Sequence, residues 1–103
     1  MKLMDYVNGI QHIGIPTNDL AATKEFYIGL GFELVYETIN ESGGNTPVAF
    51  LQAGDILIET YENKTAAMKR GAIDHLALNV PDIEPVYALA KEKGYQFLES
   101  DEI

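Results

Sequence analysis

The sequence predicts an α+β protein built from paired β-α-β-β-β units, and three observations support that prediction. The chain has 103 residues, the length of one domain, with the 47% hydrophobic and 22% charged residues typical of a globular protein. Its second half repeats its first at a shift of 63 residues (75 − 12), with strand, helix and strand patterns in the same order. The shift aligns four identical residues: Ile10 with Ile73, His12 with His75, Asp19 with Asp82, and Gly31 with Gly94.

The first copy begins with a strand and a helix. Residues 11–16 alternate in hydrophobicity, which predicts a strand with its isoleucines on one face and His12 on the other. Asp19 is predicted to cap the following helix, because its side-chain oxygen accepts a hydrogen bond from the free amides of the first turn. Gly31 is predicted to end that helix, since glycine readily adopts a left-handed conformation, and residues 32–39 are predicted to form the next strand.

Two further strands are predicted between the copies. Residues 46–51 and 55–61 indicate a hairpin joined by a short turn at Gly54. A polar, glycine-containing loop at residues 41–45 precedes the hairpin. The first unit, residues 8–62, is therefore predicted to run β-α-β-β-β.

The second copy repeats this order. Residues 72–80 are predicted to form a strand and Asp82 to cap a helix. Gly94 is predicted to end that helix, and residues 95–99 to begin the next strand.

We therefore expect a single domain, residues 1–103, in which residues 71–103 begin a second β-α-β-β-β unit. We expect this second unit to be truncated in this sequence, without two strands and most of a third. Either a longer native chain or a partner molecule is expected to supply them, since an open sheet has unpaired edges that favour aggregation.

Composition excludes several classes of function. Without cysteine, the chain has no disulfide, thiolate metal site or cysteine nucleophile, and its composition suits a cytoplasmic protein. The net charge of −9 would repel nucleic acid and anionic membranes, so neither is expected as a partner. No signal-peptide pattern is expected at the N-terminus, and no stretch approaches the roughly 18 apolar residues that suggest a membrane span.

The two histidines of the chain, His12 and His75, fall at equivalent positions of the repeat. For a single histidine a structural role is the more frequent one, because this side chain serves many purposes. Equivalent positions in paired β-α-β-β-β units face each other across a pseudo-twofold axis. Taken together, the two imidazoles therefore favour a divalent cation.

Glu59 is a third candidate ligand. It lies in the strand sequence DILIETY, where a carboxylate among apolar residues would be costly to bury without a partner. An exposed strand position explains it equally well from the alternation alone. Thr60 and Glu62 are weaker candidates of the same kind.

A resemblance to the vicinal oxygen chelate superfamily, the glyoxalase/bleomycin resistance/dioxygenase group, is carried by the segment HIGIPTNDLAATKEFYIGLGFELV. The matching positions are His12 on a strand, Asp19-Leu20 before the helix, Phe26-Tyr27 within it, and Leu30-Gly31-Phe32 at its end. The superfamily's fourth and fifth strands resemble DILIETYEN and DHLALNVPDI. The resemblance covers nearly the whole chain and implies the glyoxalase/bleomycin resistance fold.

The resemblance implies metal ligands at His12, Glu59 and His75, with Glu59 as the catalytic carboxylate. The superfamily's fourth ligand would lie 63 residues after Glu59, beyond Ile103. The implied ligand set suits Zn, Ni, Mn, Co or Fe, and ligand type alone does not choose between these metals.

The function implied is that of a glyoxalase I-like metal-dependent lyase or isomerase, of the lactoylglutathione lyase type. Its substrate would be a small molecule with vicinal oxygens, such as a hemithioacetal. The cation would stabilise an enediolate while a carboxylate moves a proton between the two carbons. Two alternatives are an Fe(II) extradiol dioxygenase-like enzyme and a metal-free, drug-sequestering protein of the bleomycin-resistance type. A homodimer is expected under each interpretation.

Overall fold

The computed structural model describes residues 1–98 and divides the chain into two compact units, Met1–Met68 and Lys69–Ile103. The two units are described separately. Within residues 1–98, every helix is too short or too polar to cross a membrane.

The first unit has the predicted β-α-β-β-β order. Its elements are β1 (Ile13–Thr17), α1 (Leu20–Leu30), β2 (Glu33–Asn40), β3 (Thr46–Ala53) and β4 (Ile56–Glu62). A short 3-10 helix, Leu3–Tyr6, precedes them and was not predicted from the sequence. The first unit thus confirms the α+β class and the order of its elements.

The four strands form one mixed sheet in the order β1-β4-β3-β2. β1 runs parallel to β4, whereas β3 pairs antiparallel with both β2 and β4. The predicted hairpin turn is present between Ala53 and Ile56, where Gly54 has a φ of 58°. Glycine adopts this left-handed conformation without steric cost, which permits a two-residue connection.

The helix α1 is capped at both ends as its sequence predicts. The Asp19 side chain accepts a hydrogen bond from the Ala22 amide at 3.1 Å. A second cap comes from β4, because the Glu62 carboxylate accepts a hydrogen bond from the Leu20 amide at 2.9 Å. At the other end Gly31 takes a left-handed conformation with a φ of 110°.

The core lies between α1 and one face of the sheet. Its central cluster consists of Phe32, Leu51 and Ile58. Tyr27 packs edge-on against Phe32, with 5.3 Å between ring centroids, and burial raises the pKa of the Tyr27 phenol. The aromatic positions of the chain, Phe26 among them, are best explained from the sequence as core residues, but Phe26 is 58% exposed. It precedes Tyr27 in α1 and therefore points about 100° away from it around the helix axis.

The face of the sheet turned away from α1, called here the distal face, carries a row of aligned residues, one from each of the four strands. The strand register aligns Gly14 with Glu59, Glu59 with Phe50, and Phe50 with Tyr36. Because successive side chains of a strand point to opposite faces, this row lies opposite the buried Ile58. Glu59 therefore belongs to the face that the core does not use.

Among residues 69–98, the described part of the second unit, there is one helix, α2 (Ile83–Glu92). Asp82 caps it by accepting a hydrogen bond from the Glu84 amide at 3.1 Å. Gly94, with a φ of 73°, follows its end as predicted.

The predicted strand at residues 72–80 was wrong, because this segment has no regular secondary structure. A strand needs a neighbouring backbone for its N–H and C=O groups, and no strand in residues 1–98 pairs with this segment. The start of a strand was also predicted at residues 95–99. Residues 95–98 form no strand, and residue 99 lies outside the described part of the chain. The rest of the predicted second unit, residues 100–103, also lies outside it.

Candidate metal centre

His12 and Glu59 meet on the distal face of the first unit. Glu59 stands opposite Gly14 in the parallel β1–β4 pair, and His12 lies two residues before Gly14. The His12 Nε2 atom is 3.6 Å from the Glu59 Oε1 atom. Their side chains are 34% and 30% exposed, so both polar groups are accessible from solvent. The fold thus brings together two residues that are 47 positions apart (59 − 12) in the sequence.

Two neighbours hold the His12 ring. Its Nδ1 atom is hydrogen-bonded to the Gln11 side-chain oxygen. Its ring packs edge-on against Phe50, with 5.8 Å between ring centroids and 79° between ring planes. Phe50 pairs with Glu59 across the β3–β4 ladder, so the same aromatic ring lies beside both candidate ligands. Sequence reasoning missed this contact because it depends on the β3–β4 register.

Two hollows on the distal face adjoin Glu59. The larger has a volume of about 560 Å³ and is lined by Thr38, Ile39, Asn40, Glu41, Ser42, Val48, Phe50 and Glu59. The other, of about 330 Å³, is lined by Asn40, Gly43, Thr46, Val48, Glu59, Tyr61 and Asn63. The Glu59 carboxylate and the Asn40 amide therefore border both spaces, and a small polar molecule has room beside the His12–Glu59 pair.

The His12–Glu59 pair fits a divalent cation by donor chemistry and by distance. Imidazole nitrogen and carboxylate oxygen are ligands for Zn and the other borderline divalent metals. Two such donors, each about 2.1 Å from one ion, are separated by roughly 3.0–3.4 Å in octahedral or tetrahedral geometry. The observed 3.6 Å needs only a few tenths of an ångström of side-chain movement. Without a metal, the same distance describes an ion pair when the imidazole is protonated.

The third predicted ligand, His75, belongs to the second unit. It lies in the irregular segment before α2, and its side chain is 78% exposed. Its Nδ1 atom is 2.6 Å from the Asp74 Oδ1 atom. Within residues 1–98, no group of three or more His, Asp and Glu side chains is close enough to hold a metal ion. Of the three predicted ligands, the structure therefore brings together His12 and Glu59 within the first unit.

The two weaker candidates lie on the opposite face of β4. Thr60 is buried on the α1 side of the sheet with 0% exposure, and Glu62 caps α1 through the Leu20 amide. Because side chains alternate along β4, these two lie on the α1 side of the sheet and Glu59 lies on the distal face. Neither therefore joins the candidate metal centre.

The chain belongs to the Glyoxalase/Bleomycin resistance protein/Dioxygenase superfamily, whose family model matches residues 9–101. This confirms the resemblance seen in the sequence and the fold class that it implies. Members of the superfamily bind small molecules, often use divalent metal ions and often form dimers.

The chain is also similar to individual proteins. An uncharacterized protein of Bacillus subtilis (strain 168), YwkD, is 29% identical over 97 residues, which cover 87% of this chain and 75% of YwkD. The crystal structure of a glyoxalase family protein from Enterococcus faecalis is 27% identical, with a TM-score of 0.66 and coverage of 86% and 75% of the two chains.

A further solved structure is similar to this chain in fold alone. The genomically encoded fosfomycin resistance protein FosX from Listeria monocytogenes superimposes with a TM-score of 0.70 at 18% sequence identity. The match covers 92% of this chain and 77% of FosX.

Proposed function

We propose that this chain is a glyoxalase I-like, metal-dependent lyase or isomerase acting on a small substrate with vicinal oxygens. Its divalent cation, one of Zn, Ni, Mn, Co or Fe, would be held by His12, Glu59 and His75. The observation that carries the proposal is the 3.6 Å approach of His12 Nε2 to Glu59 Oε1 on the distal face. Superfamily membership and the adjoining hollows support it.

Each residue has a distinct part in this proposal. His12 would supply a nitrogen donor to the cation, and Phe50 packs edge-on against its ring. Glu59 supplies one carboxylate oxygen to the cation and is the group that would carry a proton between neighbouring carbons of the substrate. A bound divalent cation supplies Lewis acidity, which draws negative charge onto a coordinated substrate oxygen. Asn40, which borders both hollows, would donate a hydrogen bond to a substrate oxygen.

His75 and a fourth ligand would complete the coordination shell. We propose that residues 8–62 and 71–103 are two related units, and that the shell is completed by their pairing within one chain or across a homodimer. The repeat supports this, because His12 and His75 occupy equivalent positions. The absence of cysteine is compatible with the cytoplasm as the site of action.

The proposal is tested by assaying conversion of a hemithioacetal of a 2-oxoaldehyde to the 2-hydroxyacyl thioester. The protein would be stripped of metal and reloaded with each of the five metals in turn. We expect activity that requires a metal and falls at least about 100-fold in Glu59→Gln, because that variant loses both a ligand and a proton carrier. Glu25→Gln is the matched control, because Glu25 is exposed on α1 and its substitution causes the same change in charge.

Two results would contradict the proposal. The first is an absence of turnover with all five metals, and the second is turnover that Glu59→Gln leaves unchanged. Metal-independent binding of a planar aromatic compound, in the absence of turnover, would instead favour the drug-sequestering alternative. Activity that is lost in air and recovered with Fe(II) alone would favour the dioxygenase-like alternative.

A further inference from the structure

Both histidines make the same local contact. The Nδ1 atom of His12 is hydrogen-bonded to the side-chain oxygen of Gln11, and the Nδ1 atom of His75 is 2.6 Å from the Asp74 Oδ1 atom. The shift of 63 residues that aligns the histidines also aligns Gln11 with Asp74 (74 − 11). An oxygen acceptor therefore precedes the imidazole in each copy, although the residue types differ.

The acceptor determines which ring nitrogen carries the proton. A carboxylate and an amide oxygen can only accept hydrogen bonds, so the imidazole must donate from Nδ1. In a neutral ring this leaves the Nε2 lone pair free. In His12 this free nitrogen is the atom that lies 3.6 Å from Glu59 Oε1. The contact thus presents the lone pair on the side of the ring where the candidate ligand lies.

We propose that Gln11 and Asp74 are positioning residues that fix the Nδ1–H tautomer of the following histidine and so make Nε2 the metal-binding atom in both copies. The proposal rests on the function proposed above for its metal, but the tautomer itself does not require a metal. Outer partners of this kind orient a histidine ring and increase its strength as a ligand.

The two positioning residues differ in charge. Asp74 bridges two groups, because its Oδ1 atom contacts His75 and its Oδ2 atom is 3.8 Å from the Arg70 guanidinium. Gln11 is neutral, and its side-chain oxygen contacts the Nδ1 atom of His12. A carboxylate acceptor makes the imidazole a stronger donor to a metal than an amide does. We therefore expect substitution of Asp74 to weaken metal binding through loss of charge as well as loss of the hydrogen bond.

The tautomers are tested by long-range proton–nitrogen NMR of the two imidazole rings, in the metal-free full chain at about pH 9, where an ordinary imidazole is neutral. We expect both rings as the Nδ1–H form in the parent protein. In Gln11→Ala we expect a mixture of tautomers for the His12 ring and no change for the His75 ring. In Asp74→Ala we expect a mixture for the His75 ring and no change for the His12 ring. Gln11→Glu and Asp74→Asn keep an oxygen acceptor and should restore the Nδ1–H form.

The effect on the ligand atom is tested by titrating each variant with Zn²⁺ alone and measuring the dissociation constant. Gln11→Ala and Asp74→Ala should each weaken binding by about 10- to 100-fold. Asp74→Asn should lie between Asp74→Ala and the parent, and exposed Gln96→Ala should match the parent. Because all these sites are exposed, the substitutions are expected to leave the fold intact, which circular dichroism would verify.

The two arms separate this proposal from the metal-centre proposal. If the parent binds no Zn²⁺, the metal centre fails, and the NMR arm still decides whether Gln11 and Asp74 set the tautomers. If Zn²⁺ binds but the rings carry their protons on Nε2, or if Gln11→Ala changes neither tautomer nor affinity, the positioning role is refuted while the metal centre stands.

Discussion

Thr60 carries an uncompensated polar group in the core, and replacing it with valine should stabilise the protein. Its side chain is fully buried, and its hydroxyl oxygen has no hydrogen-bond partner within residues 1–98. The strand register places Thr60 between Ile15 of β1 and Ala49 of β3, both apolar. Valine has almost the same shape as threonine and replaces the hydroxyl with a methyl group.

The size of the effect follows from this environment. Leaving a buried donor or acceptor unsatisfied costs about 1–3 kcal/mol, and the added methyl group gains hydrophobic transfer energy. We expect Thr60→Val to raise the free energy of unfolding by about 1–2 kcal/mol. At about 4–8 °C per kcal/mol for a domain of this size, the melting temperature should rise by roughly 4–16 °C.

Urea unfolding followed by circular dichroism measures the change, with Thr17→Val as the matched control. The Thr17 hydroxyl accepts a hydrogen bond from the Asp19 amide at 3.0 Å and lies 2.7 Å from the Thr23 hydroxyl. The same chemical change there should destabilise the protein by about 1 kcal/mol. A Thr60→Val protein that is no more stable than the parent would refute the reasoning. A loss of Zn²⁺ binding in this variant would also refute it, because Thr60 lies on the face of the sheet opposite Glu59.

Two further predictions concern α1. Asp19→Ala should lower the free energy of unfolding by about 1 kcal/mol, because the Ala22 amide loses its cap, and urea unfolding should show Asp19→Asn closer to the parent. Burial raises the pKa of the Tyr27 phenol in the folded state, so the contribution of Tyr27 to stability should be constant below the ordinary tyrosine pKa of about 10 and fall as pH rises through and above it. Unfolding measured at about pH 9 and pH 11 checks this, and a Tyr27→Phe variant with the same alkaline loss would show that another group is responsible.

The elements that sequence reasoning placed correctly depend on local interactions. Asp19 and Gly31 mark the ends of α1 because capping and a left-handed φ involve residues within one helical turn. The hairpin at Gly54 is likewise determined by a short turn. The strand predicted at residues 72–80 failed because alternation specifies which face a side chain takes, but does not provide a neighbouring strand.

The candidate site could be predicted only in part from the sequence, because it too depends on the pairing of strands. Family resemblance pointed to His12 and Glu59, but their approach depends on the parallel pairing of the first and last strands of the unit. The alternation also left open whether Glu59 is a ligand or an exposed strand residue, and Glu62 on the same strand stayed a weaker candidate. The structure separates them, since Glu62 is used as a helix cap.

Bound metal per chain is the measurement that tests the central claim most directly. Elemental analysis would be made on protein purified without chelators and again after reconstitution with Zn, Ni, Mn, Co and Fe(II). The parent should hold close to stoichiometric metal, and His12→Ala, Glu59→Ala and His75→Ala should each lose it, whereas Glu25→Ala should not. A parent chain that holds no metal under any of these conditions, or variants at all three positions that retain it, would contradict the proposed metal centre.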